Sequence, residues 1–445
     1  MLAWWFWYAV VALLFVLDGL VVYALYRSGR LGPDRSLQLL GPLLMIKTKR
    51  GLGLLDRLGR FKRFWSAMGD AGLVLAAAAM IGIVVTLCLE AVLVFGIGGS
   101  RAPTPAEAVG LPGINPFIPV GYGILALVIG VVIHEMFHGI VARSQNIGVK
   151  SVGVLWLVVP LGAFVEQDDT QMNAASRRAR DRVGAAGVLA NFLIALVTFL
   201  LLALIVTSSI QAVTPGVQLA GIVAGTPAAT LGLHAGDIIT QLNGTATTTV
   251  AIFEQILAGS HPGQSMSIAW WSSVQNRFLS GIITLAKDPY VTGRGFLGVA
   301  ASVLAPASLL TEMATPWTNP SGAFIGFVTW ISLPFLHYSP IQGASVSYFH
   351  ATGPLGGLGV GNVLILVNVL YWLTWMNLLL GLSNALPLIP LDGNLLFRDW
   401  VSAITARVRK GWTTAQLDTF ASQMTVVVSL LIVFLLLWSL TAEYL

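Results

Sequence analysis

The chain has 445 residues, of which 56% are hydrophobic and only 10% are charged. Because about 25% charged residues is usual for soluble domains, this composition predicts a membrane protein and excludes an ordinary soluble one. The net charge of +5 is modest, and the basic residues lie beside apolar segments, which indicates membrane topology and no nucleic-acid partner. The single cysteine, Cys88, excludes an intramolecular disulfide and a cysteine-rich zinc site.

The first predicted transmembrane helix covers residues 3–26 and begins with aromatic residues typical of a membrane interface. It contains Asp18, which is open to two interpretations: a polar contact within a helix bundle, or a residue of a gate or water path. Ten basic and two acidic residues follow between residues 27 and 63, which places this loop on the cytoplasmic side. Apolar residues interleaved with these charges at residues 52–61 predict an amphipathic segment on the anionic lipid surface.

Two further transmembrane helices are predicted before residue 144. The first of them covers residues 71–97, with Glu90 near its outer end as another gate candidate. The other runs from about Phe117 to Arg143 and returns the chain to the cytoplasm. Its middle carries three polar residues, which are expensive at membrane depth and therefore indicate a functional site.

These polar residues belong to the sequence HEMFH, a match to H-E-x-x-H. On a helix, His134 and His138 share one face and can bind one metal ion. Glu135 projects about 100° round the same turn, where it can take a proton from water without being a ligand. His138 and His134 precede Arg143 by five and nine residues, so they lie roughly 7 and 13 Å inside the cytoplasmic boundary.

The segment after this helix, residues 147–165, consists of apolar, mostly β-branched runs broken by Gly and Pro, which predicts a β-hairpin. At membrane depth an unpaired strand edge is tolerated only beside protein or a water-filled cavity. A free edge next to a metal site could hold a substrate backbone by strand addition. The alternative is a hairpin that only fills space within the bundle. A fourth transmembrane helix then covers residues 183–208 and contains Asn191.

Residues 213–287 differ in kind, with short strand-like runs separated by turn residues. The sequence GTPA at residues 225–228, the later AGDI at residues 235–238 and an Asn-Gly turn look like the PDZ domains attached to bacterial proteases. The pattern of basic clusters places this PDZ-like domain outside the cytoplasm. We expect it to screen substrates by size. The alternative is that its groove binds a partner or the substrate's tail.

Residues 288–356 are apolar but rich in Pro, Gly and Ser, and we interpret them as an external linker in which residues 323–336 form a surface helix. A transmembrane helix over residues 360–386 follows and ends in the sequence NALPLIPLDG. Its two prolines break the helix and turn Asp392 back towards the bundle, while Gly393 permits a close approach. A last transmembrane helix covers residues 426–440.

The predicted fold is therefore a polytopic α-helical membrane protein of about six transmembrane helices, with a membrane-associated β-hairpin and one extracytoplasmic PDZ-like α+β domain. Both termini are expected outside the cytoplasm. The predicted divisions are two N-terminal helices with their basic loop (residues 1–97), the first half of the catalytic core (117–210), the PDZ-like domain (213–287), the external linker (288–356), and the second half of the core with the last helix (357–445).

Two histidines alone do not complete a catalytic zinc site, which uses three protein ligands. The pairing of HEMFH with NALPLIPLDG resembles the site-2 protease family of intramembrane metalloproteases, and the resemblance extends over most of residues 117–400. It implies one Zn²⁺ per chain, bound by His134, His138 and Asp392. It also implies that Glu135 is the general base and that Asn384 lies near the scissile peptide.

The resemblance further implies that the protein hydrolyses peptide bonds within or near transmembrane segments. The expected substrates are single-span membrane proteins trimmed beforehand by another protease, and the expected location is a prokaryotic cell membrane. One rival is a membrane-anchored protease of the soluble type, with Glu166 as the third ligand. Another is a non-proteolytic, PDZ-bearing membrane scaffold. A metal transporter is disfavoured because few carboxylates line the spans.

Overall fold

A computed structural model of the chain describes residues 4–32, 35–93, 105–108, 110–301 and 349–441. These residues belong to two compact units, one formed by Met1–Val197 with Leu373–Leu445 and the other by Thr198–Trp372. The predicted surface helix at residues 323–336 lies outside the described residues.

The helices are α1 Trp4–Arg27, α2 Leu52–Gly59, α3 Lys62–Leu93, α4 Pro105–Ala108, α5 Val120–Ser144, α6 Asp169–Ala174, α7 Arg177–Ser209, α8 Pro227–Leu231, α9 Val250–Ala258, α10 Val360–Ala385, α11 Asp392–Val408 and α12 Thr414–Thr441. The strands are β1 Leu37–Leu40, β2 Leu43–Thr48, β3 Val149–Leu157, β4 Val159–Gln167, β5 Ile210–Ala212, β6 Val217–Ile222, β7 Ile238–Leu242, β8 Thr245–Ala246, β9 Ser265–Ser272, β10 Arg277–Thr284, β11 Ala286–Lys287, β12 Gly295–Phe296, β13 Val299–Ala301 and β14 Phe349–Ala351.

Five helices within the described residues are long and apolar enough to cross a membrane, and they lie in α3, α5, α7, α10 and α12. The chain is therefore a multi-pass membrane protein. The 24-residue helix α1 coincides with the first predicted span, and the total of six remains a prediction. Helices α3, α7 and α12 begin six to twelve residues before the predicted spans, because their first turns are polar and hydropathy marks only the apolar part of a helix.

The predicted hairpin is observed as β3 and β4, and it belongs to a larger antiparallel sheet with the order β1-β2-β3-β4. Strands β1 and β2 come from the basic loop and were not predicted. Gly153 sits where β2 and β4 flank β3, and a Cβ there would collide with the carbonyl of Ile46 and the ring of Phe164. The close approach of the strands therefore requires glycine at this position.

Small residues on α7 bring it close to its neighbours. Ala185, Ala186 and Ala190 are completely buried, and a Cβ at Gly72 of α3 would meet the Ala185 carbonyl at 3.3 Å. Small residues at such contacts let helix backbones approach closely in membrane proteins. The N-terminal parts of α3 and α7 are tied by Asp70, whose carboxylate accepts hydrogen bonds from two arginines of α7.

The second unit has a sheet with the order β10-β9-β7-β6-β13, and β8 pairs with β7. Its core contains Phe253, Ile268 and Trp270. The predicted boundary at residue 287 falls inside this unit, because Val299–Ala301 adds a further strand beside β6. Two strand pairs stand apart from the sheet, β11 with β12 and β5 with β14.

Candidate metal centre

Three side chains that are far apart in sequence meet at one point in the first unit. The Nε2 atoms of His134 and His138 lie 3.2 Å apart, and each lies 3.1 Å from Oδ2 of Asp392. Both histidines come from α5 and the aspartate begins α11. Among the described residues, this is the one group of at least three His, Cys, Asp or Glu side chains that could hold a metal ion.

The separations fit a tetrahedral ion. For bonds of about 2.0 Å, two ligand atoms of a tetrahedral zinc site lie about 3.3 Å apart. The donor set of two imidazoles and one carboxylate is one that zinc uses in catalytic sites, with a fourth position left open. Space is also reserved, because a Cβ at Gly187 of α7 would collide with the Nε2 atoms of both imidazoles. Glycine at this position therefore leaves room for an ion.

The second ring nitrogen of each histidine has a partner on α7. Nδ1 of His138 donates to the carbonyl oxygen of Val183 over 2.7 Å. Nδ1 of His134 lies 3.1 Å from Nδ2 of the fully buried Asn191. With Nε2 facing a metal, the Nδ1 of His134 carries a proton and must donate, so the Asn191 amide must present its oxygen.

The approach to Asp392 depends on the break after α10. The residues between α10 and α11 include Pro387 and Pro390, and Gly393 is buried directly behind the aspartate. A Cβ at Gly393 would collide with the carbonyl oxygens of Ala385 and Leu386. Glycine therefore allows the start of α11 to fold back against the end of α10.

Glu135 lies beside the three ligand residues without joining them. Its Oε2 accepts a hydrogen bond of 3.0 Å from the backbone N–H of Val165 in β4. Its other oxygen, Oε1, has no hydrogen bond to any described residue. Within the described residues β4 is paired only with β3, so its second edge runs along the side chain of Glu135.

A cavity of about 600 Å³ opens beside the metal centre, and Glu135, His138 and Asp392 line it. The β4 residues Phe164–Gln167 form one wall, and the first turns of α7 and α11 contribute others. The cavity thus joins the candidate metal ligands, the candidate base and a strand that pairs with a described strand on one side only.

Comparison with known proteins identifies the chain at this point. A model of peptidase family M50 matches residues 122–432, which include both metal-binding segments. The chain belongs to peptidase family M50. The resemblance to site-2 proteases seen in the sequence is confirmed by this match, and membership makes the protein a metalloprotease for which zinc is the implied metal.

Two relatives of this M50 peptidase illustrate its range. It is 26% identical over 352 residues to an uncharacterised protein of Methanocaldococcus jannaschii, covering 78% of this chain and 75% of the relative. It is 24% identical over 315 residues to a protein of Clostridium perfringens named as a candidate zinc metalloprotease, covering 64% of this chain and 88% of that relative.

Two solved PDZ domains align with part of the M50 chain. One match is to the PDZ domain of the SdrC-like protein from Listeria monocytogenes. The aligned part covers 20% of this chain and 92% of that domain, at 24% identity and a TM-score of 0.18. The corresponding domain from Listeria innocua covers 19% of this chain and 92% of that domain, at 25% identity and the same TM-score.

Glu166, the ligand of the rival soluble-type site, is engaged elsewhere in the M50 chain. It pairs with Lys47 at 3.0 Å and accepts a hydrogen bond from Ser151. Burial raises the pKa of Glu166, but these donors lower it by more, so the carboxyl group has a pKa below its usual range. Glu166 therefore stabilises the junction of β2, β3 and β4, and it does not join the histidines.

Three other polar residues singled out in the sequence are not members of the three-residue cluster. Asn384 donates from Nδ2 to the carbonyl oxygen of Leu380 in its own helix over 3.1 Å, and it does not line the cavity. Asp18 accepts a hydrogen bond of 2.9 Å from the indole N–H of Trp156 in β3, which is a polar contact between α1 and the sheet. Glu90 is exposed on α3.

The contacts that α7 makes with both histidines were not predicted from the sequence. Gly187 and Asn191 are four residues apart and so lie on one face of the helix. A buried asparagine in an apolar helix is itself a signal of a functional site. Its partner could not be identified from sequence, since His134 is 57 positions away.

Proposed function

We propose that this M50 peptidase is an intramembrane protease that hydrolyses peptide bonds within or near transmembrane segments of membrane proteins. The observation that carries the proposal is the meeting of His134, His138 and Asp392 within 3.2 Å of one another, with both histidines on a helix that qualifies as a membrane span. A peptidase centre on such a helix is suited to substrates that reach it from the bilayer.

His134, His138 and Asp392 would hold one zinc ion. Bound zinc supplies a Lewis acid that polarises the scissile carbonyl and makes water more acidic. Oε1 of Glu135, the oxygen that does not accept from Val165, would then take a proton from the attacking water. Glu135 would deliver this proton to the leaving amine nitrogen. The hydrogen bond from Val165 to Oε2 fixes the carboxylate for this task. Val183 and Asn191 keep both imidazoles in the tautomer that leaves Nε2 for the metal.

The free edge of β4 supports a mode of substrate binding. A helix hides its peptide carbonyls, so the substrate span must unwind locally before hydrolysis. An unwound substrate segment could pair with β4, and backbone hydrogen bonds to β4 would then replace the helical hydrogen bonds that the segment has lost. The segment would run next to Glu135. The alternative remains that the sheet only fills space within the bundle.

For the PDZ-like unit we propose an extracytoplasmic filter. A bulky external domain on a substrate would be excluded, whereas a single-span substrate trimmed beforehand by another protease would be admitted. The second possibility is recruitment of a partner or substrate tail by the groove of this unit. The proposed location is a prokaryotic cell membrane, with the lipid bilayer as the protein's surroundings.

The direct test replaces Glu135 by Gln in the purified full chain and measures cleavage of a single-span substrate together with zinc content. We expect a loss of roughly 10²- to 10⁴-fold in kcat, the range for removal of a general base, with zinc near one per chain. Glu254→Gln, at an exposed position on α9, is the matched control and should cleave normally. If the zinc-loaded wild-type protein cleaved no membrane substrate, the non-proteolytic scaffold would be favoured instead.

A further inference from the structure

The cavity beside the metal centre contains a pair of carboxylates that the proposed reaction does not use. Asp181 lies near the start of α7 and Asp399 in α11, and both line the cavity. Asp181 is only 7% exposed. Burial of an ionised carboxylate is expensive unless a hydrogen-bond donor or a cation compensates it.

The two carboxylates are unequally compensated. Asp399 accepts hydrogen bonds from the guanidinium of Arg180, whose Nε and Nη2 atoms both lie 3.0 Å from its Oδ2. Arg180 also donates to the carbonyl of Ala175. Asp181 receives no N–H or cationic donor from the described residues, and the side chain within hydrogen-bonding reach is that of Asp399, another acid. Two carboxyl groups this close share a proton. The charges of Arg177 and Arg180 also act on Asp181, so the pair has a bonded cation on Asp399 and a shared proton between its two acids.

We propose that Asp181 and Asp399 bind a Lys or Arg side chain of the substrate, on the cytoplasmic flank of its transmembrane segment. This inference rests on the proposed function and defines a substrate class for it. Cytoplasmic flanks of membrane spans are enriched in Lys and Arg, so the required charge is common in membrane proteins. An incoming ammonium or guanidinium group would replace the shared proton and donate to both carboxylates.

The rest of the cavity suits such a side chain. Met172, Leu395 and Leu396 line it beside the two acids, and apolar walls pack well against the aliphatic stem of Lys or Arg. Asp169, an exposed acid, adds negative charge. Arg398 also lines the cavity, but its side chain is exposed to solvent, which screens its charge.

The position of the acids predicts where the basic residue lies in the substrate. Asp399 follows the ligand Asp392 by seven residues of α11, which is about 10 Å along a helix. Asp181 precedes Val183, the partner of His138, by two residues. Since an extended chain advances about 3.3 Å per residue, the basic residue falls about three positions from the scissile bond.

The test uses single-span substrates with one Lys placed at successive positions on the cytoplasmic side, each compared with a Gln version. For the wild-type protein we expect kcat/KM to favour Lys by roughly tenfold to a hundredfold near the third position, as for a hydrogen bond to a charged group. In Asp181→Asn the Lys-to-Gln ratio should fall towards one. Asp418→Asn, at an exposed position of α12 outside the cavity, should keep the wild-type ratio.

A zero-length carbodiimide cross-link gives a readout that does not depend on the folding of a variant. In the wild-type protein, Lys at the preferred position should cross-link to Asp181 or Asp399, as mapped by mass spectrometry. Equal cleavage of Lys and Gln substrates at every position, or cross-links only elsewhere, would overturn the inference while the protease assignment stands. Absence of cleavage for every substrate would refute the proposed function, and this inference with it.

Discussion

The two units each contain a large cavity, and the cavities differ in content more than in size. The first, of about 600 Å³, is lined by Glu135, His138 and Asp392 from two separate helices. The second, of about 640 Å³, lies between α9 and the segment Arg294–Val299. Its Asp288 and Arg294 pair with each other at 2.6 Å, and Glu254 is its other charged residue. Volume therefore does not identify the chemical site; convergent ligand atoms do.

The candidate metal ligands lie in the first unit, and control of substrate access is the role that we propose for the second. The first cavity lies beside three candidate metal ligands and is lined by the candidate base Glu135 and by residues of β4. The second has a helix wall with small residues, Ala251 and Ala258, and β13 at the end of its sheet.

The largest effect is expected from a side chain that fills the space beside the two imidazoles of the first cavity. In Gly187→Ala the new methyl group would collide with both imidazoles, so we expect loss of zinc and of all peptidase activity. Gly82→Ala is the matched control, since a Cβ at that helical glycine meets nothing within 4 Å. Metal analysis and a cleavage assay check both variants; a Gly187→Ala protein with full zinc content would contradict the assigned geometry.

A smaller effect is expected from removing the support of His134. In Asn191→Ala the Nδ1 of His134 loses its partner, so zinc affinity should fall roughly 10- to 100-fold, as is typical for partners of metal-bound histidines. Asn362→Ala is the control, because Asn362 is exposed and its amide donates only to the carbonyl of Leu358, just before α10. Competition with a zinc chelator measures both affinities. Equal affinities would remove Asn191 from the metal site.

The smallest effect on chemistry is expected from removing the second cavity. Because β13 completes its sheet, the deletion should replace residues 216–301 with a Gly/Ser linker. Screening predicts normal cleavage of a trimmed substrate and new cleavage of the full-length one. Loss of cleavage for both, with zinc intact, would make the unit a required recruiter.

The first unit was predictable where its signals are local. The four-residue spacing of His134 and His138 defines a shared helix face, and the hairpin was visible from its β-branched runs. Asp392 required the family resemblance, because 254 positions separate it from His138. No local pattern joins them. The break at two prolines and a glycine showed only that the chain turns there.

Other features could not be predicted from sequence because each depends on a distant partner. Strands β1 and β2 lie in the basic loop, where charges indicate topology and mask the strand pattern; β2 forms because it pairs with β3, more than a hundred positions later. The sequence motif singled out Asn384 but could not show where its side chain points. In the structure its amide donates to the carbonyl of Leu380. The role of Asn191 similarly emerged only when α7 was placed beside α5.

We propose above all that Asp392, and not Glu166, is the third protein ligand of the metal ion. Cobalt-substituted protein reports its ligands in the visible absorption spectrum, so the spectra of Asp392→Ala and Glu166→Ala should be compared with that of the wild type. We predict a changed spectrum and weakened metal binding for Asp392→Ala only, with Glu166→Ala retaining both. An unchanged spectrum for Asp392→Ala, with a changed one for Glu166→Ala, would contradict the account and favour the soluble-type site.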